Sequence, residues 1–281
     1  MMNNLSLKKS GSIEYFEQKG EDEIEVVLLH GIGSNALSFK SLIKELPQSW
    51  RILAWNAPGY GQSKPLDKNW PIADDYALAL QGLYERLELR TPLLVGHSLG
   101  ALIATSFALR YSKNVSKLLL ASPALGHGQS TNDPLNPLAK NRIDELELYG
   151  VEKFALKRAS KLVANPDKNP KIVSQIAKEM MRIKNPGYTQ AVKMLASGDL
   201  LQDALKVSCP TDVLVGAEDI VTTPTSAKKV FQVLQSVVCS KLTQLNETGH
   251  AIYQQSPRNF AKALKAFAQP NLLTNSKRIK L

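Results

Sequence analysis

Through the first half of the chain, short apolar runs alternate with longer stretches whose apolar positions recur at helical spacing. Glu25–Leu29, Arg51–Trp55, Pro92–Val95 and Lys117–Ala121 are β-branched or Leu-rich runs, and each soon meets Gly or Pro. Runs this short and this apolar predict strands buried on both faces. Between them, Leu37–Leu46, Ile72–Leu89 and Leu99–Tyr111 repeat apolar residues every three or four positions, which predicts helices. Ser12–Gln18 alternates instead and ends at Lys19-Gly20, the pattern of an edge strand and turn. Strands separated by helices imply an α/β class with a mostly parallel, doubly wound sheet.

The pattern changes at Pro123–Gly128, and no convincing strand follows until about Lys206. Four Asn-Pro pairs punctuate this stretch: Asn136-Pro137, Asn165-Pro166, Asn169-Pro170 and Asn185-Pro186. Asn caps helix N-termini well and Pro is tolerated at the first helical position. Helices are predicted at 137–149, 151–164, 170–184 and 187–197, with Gly150 and Gly187 at the breaks. The strand pattern resumes after Cys209-Pro210 with Asp212–Val215. A helix over Thr225–Leu234, a strand over Lys241–Leu245 and a last helix over Pro257–Ala268 follow. The expected division is therefore a core from 11 to 125, a helical insertion over 126–206, a second core part over 207–270, and a tail over 271–281.

Composition narrows the class. With 43% hydrophobic and 21% charged residues in 281, the chain is of ordinary globular make-up. It has no run of 18 apolar residues, so no membrane span is expected, and its polar first ten residues do not resemble a secretory signal. Cys209 and Cys239 make no disulfide framework or metal spacing, and both are expected to be small buried hydrophobes near strands. A cytoplasmic location fits these features. The net charge of +10 raises nucleic acid or an anionic surface as partners. However, six basic residues and no acidic ones follow Glu247. The excess belongs to the last helix and tail, and neither a nucleic-acid nor a membrane partner is expected.

The chemistry centres on Gly96-His97-Ser98-Leu99-Gly100, a G-x-S-x-G pentapeptide between an apolar strand and a helical segment. A serine nucleophile on a strained strand-to-helix turn needs small neighbours two residues away, and the helix N-terminus directs N–H groups at developing negative charge. A serine hydroxyl needs a base. Of the four histidines, His250 follows the last predicted strand, where the chain order Ser…Asp/Glu…His expects one. The acid should follow the strand Asp212–Val215, where Asp219 is the first choice and Glu218 the second. For the oxyanion, Leu99 N–H and a donor from the loop His30–Asn35 are expected, Ile32 before Gly33. Gly33 and His97 are candidates for the substrate pocket. In the insertion, Phe154, Met180, Met181, Tyr188, Met194 and Leu195 are candidates for either a pocket wall or the insertion's buried face. No phosphate loop, dinucleotide fingerprint or metal cluster stands in the sequence, so no cofactor and no metal are expected.

From Ile24 to Phe267 the chain resembles the α/β-hydrolase family. The resemblance rests on His30-Gly31, on Asn56-Ala57-Pro58-Gly59-Tyr60-Gly61-Gln62-Ser63, on Gly96–Gly100, on Gly216–Pro224 and on Thr248–His250. The Pro-Gly loop is similar to that of the branch with a helical cap after the sixth strand. This branch includes esterases, enol-lactonases, C–C hydrolases, haloalkane dehalogenases and epoxide hydrolases. The last two use an Asp nucleophile, so Ser98 argues against them. The resemblance implies that His30 braces its loop. His127, at the cap hinge, reads as an ordinary loop histidine. Two positions depart from the family pattern: Asn56 replaces the usual Asp, and Gln254-Gln255 stands where a Glu is common. The expected activity is cofactor-independent hydrolysis of a small acyl substrate, a carboxylic ester, through Ser98, His250 and Asp219. An enol-lactone or C–C hydrolase on the same residues is the alternative, and a non-catalytic ligand-binding member of the fold is less favoured.

Overall fold

The computed structural model describes residues 6–269, so the basic tail expected over 271–281 lies outside the described residues. The strands are β1 (Leu7–Ser10), β2 (Ile13–Gln18), β3 (Glu25–Leu29), β4 (Arg51–Trp55), β5 (Leu93–His97), β6 (Lys117–Ala121), β7 (Thr211–Gly216) and β8 (Leu242–Leu245). The α-helices are α1 (Lys40–Ile43), α2 (Ala73–Arg86), α3 (Leu99–Arg110), α4 (Pro137–Ala159), α5 (Pro170–Met180), α6 (Gly187–Ser197), α7 (Leu200–Ala204), α8 (Pro224–Gln235), α9 (Ile252–Gln255) and α10 (Pro257–Ala268).

One sheet holds all eight strands in the order β1-β2-β4-β3-β5-β6-β7-β8. The pairs β1·β2 and β2·β4 are antiparallel and the rest are parallel. Successive side chains on a strand point to opposite faces, and the core divides accordingly. Val27, Leu29, Leu53, Leu94 and Leu120 join α2, α3 and α8 on one face. Val26, Leu28, Ile52, Val95 and Leu119 join Leu42, Phe260 and Leu264 on the other. Helix α3 is buried from Leu99 to Ala108, which is why it lacks a polar side.

Several boundaries differ from expectation. β1 was not anticipated, because Leu7–Ser10 is too polar to read as a strand and exists by pairing with β2. Leu37–Leu46 forms a 3₁₀ turn and the short α1 rather than one helix. The 170–184 helix stops at Met180. Cys239 is exposed and Cys209 half-buried, so the expectation that both are buried fails. Each lies in a loop leading to a strand, not in the strand itself. Among the Asn-Pro pairs, only Asn136 caps with its side chain, accepting the Ala139 N–H at 2.9 Å. Asn169 instead donates from its amide to Ala164 O, and Asn165 adopts a left-handed backbone without a capping bond.

The residues between β6 and β7 are helical, as expected. α4 runs through Gly150, which interrupts it with φ 71° and ψ 165°. Entry and exit of the insertion are fastened together: Gly126 and Asp199 form an antiparallel bridge, and Leu200 N–H donates to Leu125 O at 2.8 Å. α6 is tied to the loop after β4, with Gln190 Nε2 donating to Leu66 O and Lys68 O at 2.7 and 2.8 Å. Gly59 (φ 83°) lies so close to Gly187 that a Cβ on either would strike the other's backbone. The insertion therefore sits over the carboxyl ends of the parallel strands, where open α/β sheets bind ligands.

Candidate active site

The site begins with the turn between β5 and α3. Ser98 has φ 53° and ψ −115°, a conformation that strains any residue with a side chain. Three glycines let the turn close. A Cβ on Gly96 would meet Gly100 O and Ala104 Cβ, and one on Gly100 would meet Leu29 O. A Cβ on Gly31 would come within 2.9 Å of Ser98 Cβ. The small residues of the pentapeptide are thus required by backbone and side-chain atoms packed directly against them.

Ser98 Oγ lies 3.0 Å from His250 Nε2, and His250 Nδ1 lies 2.9 Å from Asp219 Oδ2. A proton on Nδ1 is donated to the carboxylate, which leaves Nε2 to accept from Ser98. All three residues are buried. Asp219 Oδ1 also accepts the N–H groups of Val221 and Thr222 at 2.8 and 2.9 Å. Burial pushes its carboxyl up, but His250 and these donors outweigh that and hold it at about 2. Glu218, the second choice, is exposed and accepts from Asn165 at 3.3 Å, away from His250.

The other expected donors and histidines can be placed too. Gly33 N–H already donates to Tyr60 Oη at 3.2 Å. No acceptor among the described residues takes the N–H of Ile32 or Leu99, and both residues border the cavity above Ser98. His30 Nε2 accepts the Ala57 N–H at 3.1 Å while its Nδ1 donates to Gly31 O at 2.8 Å, joining two loops. His97 borders the cavity and donates from Nε2 to the backbone oxygen of His250 at 2.9 Å. Burial, helped by His250, holds its imidazole down at about 3, so it stays neutral. Asn56 is buried between Ala36 N–H (2.7 Å) and Glu14 Oε2 (2.6 Å). An amide can donate to Glu14 where an aspartate would repel it, which accounts for this departure from the usual Asp.

The cavity over Ser98 measures about 380 Å³ and lies between the core loops and the helical insertion. Phe154, Met180, Tyr188 and Leu195 line it, whereas Met194 is buried in the core and Met181 packs beside it. Three contributors were not singled out from sequence. Thr222 Oγ1 lies 3.0 Å from both His250 Nδ1 and Asp219 Oδ2 and 2.9 Å from Ser122 O, steadying the imidazole. The signal was its place three residues after a Gly-Ala-Glu-Asp turn. Arg142 and Glu179 also line the cavity. Polar residues on amphipathic helices read as solvent-facing, and only the packing of α4 and α5 over the core turns these inward.

A mostly parallel sheet with helices on both faces and a serine–histidine–aspartate array at its strand ends defines an α/β hydrolase. The model of the family described as Serine aminopeptidase, S33, matches residues 20–256, and the chain belongs to that family. Among curated relatives, it is 25% identical over 275 residues to the (E)-2-((N-methylformamido)methylene)succinate hydrolase of Acinetobacter baylyi, covering 94% of this chain and 97% of that one. It is 27% identical to the pimeloyl-[acyl-carrier protein] methyl ester esterase of Vibrio atlanticus, covering 87% of this chain and 94% of the relative. Among solved structures, the enol-lactonase of Burkholderia xenovorans superposes with a TM-score of 0.80 at 17% identity, over 93% and 99% of the two chains. These likenesses establish a hydrolase. No helix among the described residues is long and apolar enough to cross a membrane.

Proposed function

We propose that the protein hydrolyses a carboxylic ester through an acyl-enzyme on Ser98, with His250 as base and Asp219 as its partner. The carrying observation is the continuous array Ser98 Oγ, His250 Nε2 and Nδ1, Asp219 Oδ2, with steps of 3.0 and 2.9 Å. Its position beside two N–H groups that have no acceptor among the described residues adds support. In this reading His250 takes the proton as Ser98 attacks the carbonyl carbon, and Asp219 stabilises the imidazolium. The N–H groups of Leu99 and Ile32 receive the tetrahedral oxyanion. His250 returns the proton to the leaving alcohol, then activates the water that frees the acid. The insertion keeps bulk water from the acyl-enzyme. An ester among the relatives' substrates agrees with this chemistry.

The test is turnover of a p-nitrophenyl ester series by wild type and Ser98→Ala. Ser98→Ala should lower kcat by about 10⁴-fold or more, and an active-site phosphonate should label Ser98. Undiminished turnover in Ser98→Ala would overturn the reading. A cyclic enol lactone and a vinylogous diketone run alongside separate ester cleavage from its alternatives.

A further inference from the structure

The cavity is cationic on its insertion side. Among its lining residues, Glu179 is the one carboxylate, against Arg142, Arg158 and Lys161. Glu179 accepts from Gln254 Nε2 at 2.8 Å and from Gln175 Nε2 at 3.2 Å, and it forms no ion pair with Arg142, Arg158 or Lys161 among the described residues. Arg142 and Arg158 both come from α4, and the break at Gly150 folds that segment so that the two guanidinium groups repel each other. Glu145 pairs with Arg158 at 3.0 Å and with Lys157 at 2.8 Å. Nothing comparable serves Arg142: it forms no ion pair among the described residues, and the polar groups that feel its charge include the hydroxyls of Tyr188 and Tyr60 and the imidazole of His127. Arg158 Nε is buried without an acceptor, while its guanidinium stacks 4.6 Å from the Phe154 ring.

Arg142 is half-buried, and a partly buried guanidinium with no paired carboxylate keeps its fork of donors available to an anion. Burial, and next to it Arg158 among the cations, holds the Arg142 guanidinium below the usual range for arginine. Arg142 and Ser98 line the same cavity, Arg142 from α4 of the insertion and Ser98 from the turn after β5. Arg142 is therefore a cation on the insertion side of the cavity that also holds Ser98. We propose that Arg142, assisted by Arg158, binds a free carboxylate on the substrate, so that the preferred ester is a half-ester of a dicarboxylic acid. A planar carboxylate takes two parallel N–H donors from one guanidinium fork, one charge matched to one charge. The proposal rests on ester hydrolysis at Ser98 for its turnover but not for its binding step.

The experiment compares p-nitrophenyl hemiadipate, p-nitrophenyl hexanoate and the matching ester tipped with a phosphonate. Wild type should favour the hemiadipate over the hexanoate by about 10- to 100-fold in kcat/KM, chiefly through KM. Arg142→Gln should collapse that ratio, Arg142→Lys should restore part of it, and Arg158→Gln should lower it less. Binding is read separately on Ser98→Ala by calorimetry with adipate. His127 supplies a second readout: burial and the charge of Arg142 hold its imidazole down, so adipate should raise its titration in NMR spectra. A wild type indifferent to the terminal carboxylate, a preference that survives both glutamine variants, or a preference for the phosphonate overturns the proposal. If adipate binds through Arg142 while no ester is turned over, the subsite stands and the esterase reading falls. If Ser98 turns over esters without discrimination, the subsite alone falls.

Discussion

Gly31, Gly96 and Gly100 surround Ser98 with backbone, and their roles are the most local facts in the molecule. Gly100→Ala places a methyl against Leu29 O and should destabilise the fold by about 1–3 kcal/mol, seen as a lower Tm in calorimetry. The pentapeptide made this turn readable because its spacing states a steric requirement. Asp219 was readable only as one of two adjacent acids, since the choice depends on which side chain the turn buries. The histidines carry a pH signature. Burial holds His30 down at about 4 and His97 at about 3, below 6.5 in the unfolded chain. The unfolded chain therefore takes up protons first on acidification. Stability from these residues is complete above about pH 6.5 and is lost as pH falls towards 4 and then 3. Tm should fall by on the order of 5–10 °C between pH 7 and 5, and His97→Asn should flatten part of that slope.

At the level of elements, the insertion and the histidine loop are joined by hydrogen bonds. Gln255 Oε1 accepts the N–H of Ala164 at 3.0 Å and of Gly249 at 2.9 Å, and Gln255 Nε2 donates to Ala164 O at 2.9 Å. Ala251 N–H donates to Leu162 O at 2.8 Å. A Cβ on Gly249 would run into the backbone of Val163 and Ala164. Gln255→Leu leaves buried backbone groups unpaired and should cost about 1–3 kcal/mol. It should also raise KM, because the wall of the cavity and His250 loosen together; steady-state kinetics beside a thermal melt separates the two effects. From sequence, Gln254-Gln255 was visible only as the absence of a Glu. The helices of the insertion were legible from periodicity and Pro positions. Their inward faces were not, since an amphipathic pattern does not say which neighbour a polar residue will meet.

Over the whole molecule, Ser98 belongs to the part of the chain before the insertion, and Asp219 and His250 to the part after it. The sheet joins these parts through β6 and β7, with Ala121 opposite Leu214. Activity and ellipticity should therefore disappear in one thermal transition, coincident within about 2 °C, as expected of a cooperative unit. The alternation of apolar strands and helices made this architecture readable almost to the residue in the central strands, because buried parallel strands tolerate few polar residues. The antiparallel margin was harder to read: Leu7–Ser10 has no strand pattern of its own and is a strand only because β2 offers it a partner.

The packing around Ser98 also bears on how such a protein changes over generations. Gly96 and Gly100 abut main-chain atoms, which no compensating side-chain replacement can move aside, and Gly31 abuts the Cβ of Ser98 itself. The insertion faces the cavity with side chains such as Phe154, Met180 and Leu195, whose neighbours can be exchanged with them. Heritable variation in substrate range is thereby channelled into α4, α5 and α6. In a saturation library selected for turnover of several esters, those positions should yield altered preferences, while Gly31, Gly96 and Gly100 return almost only the parental residue.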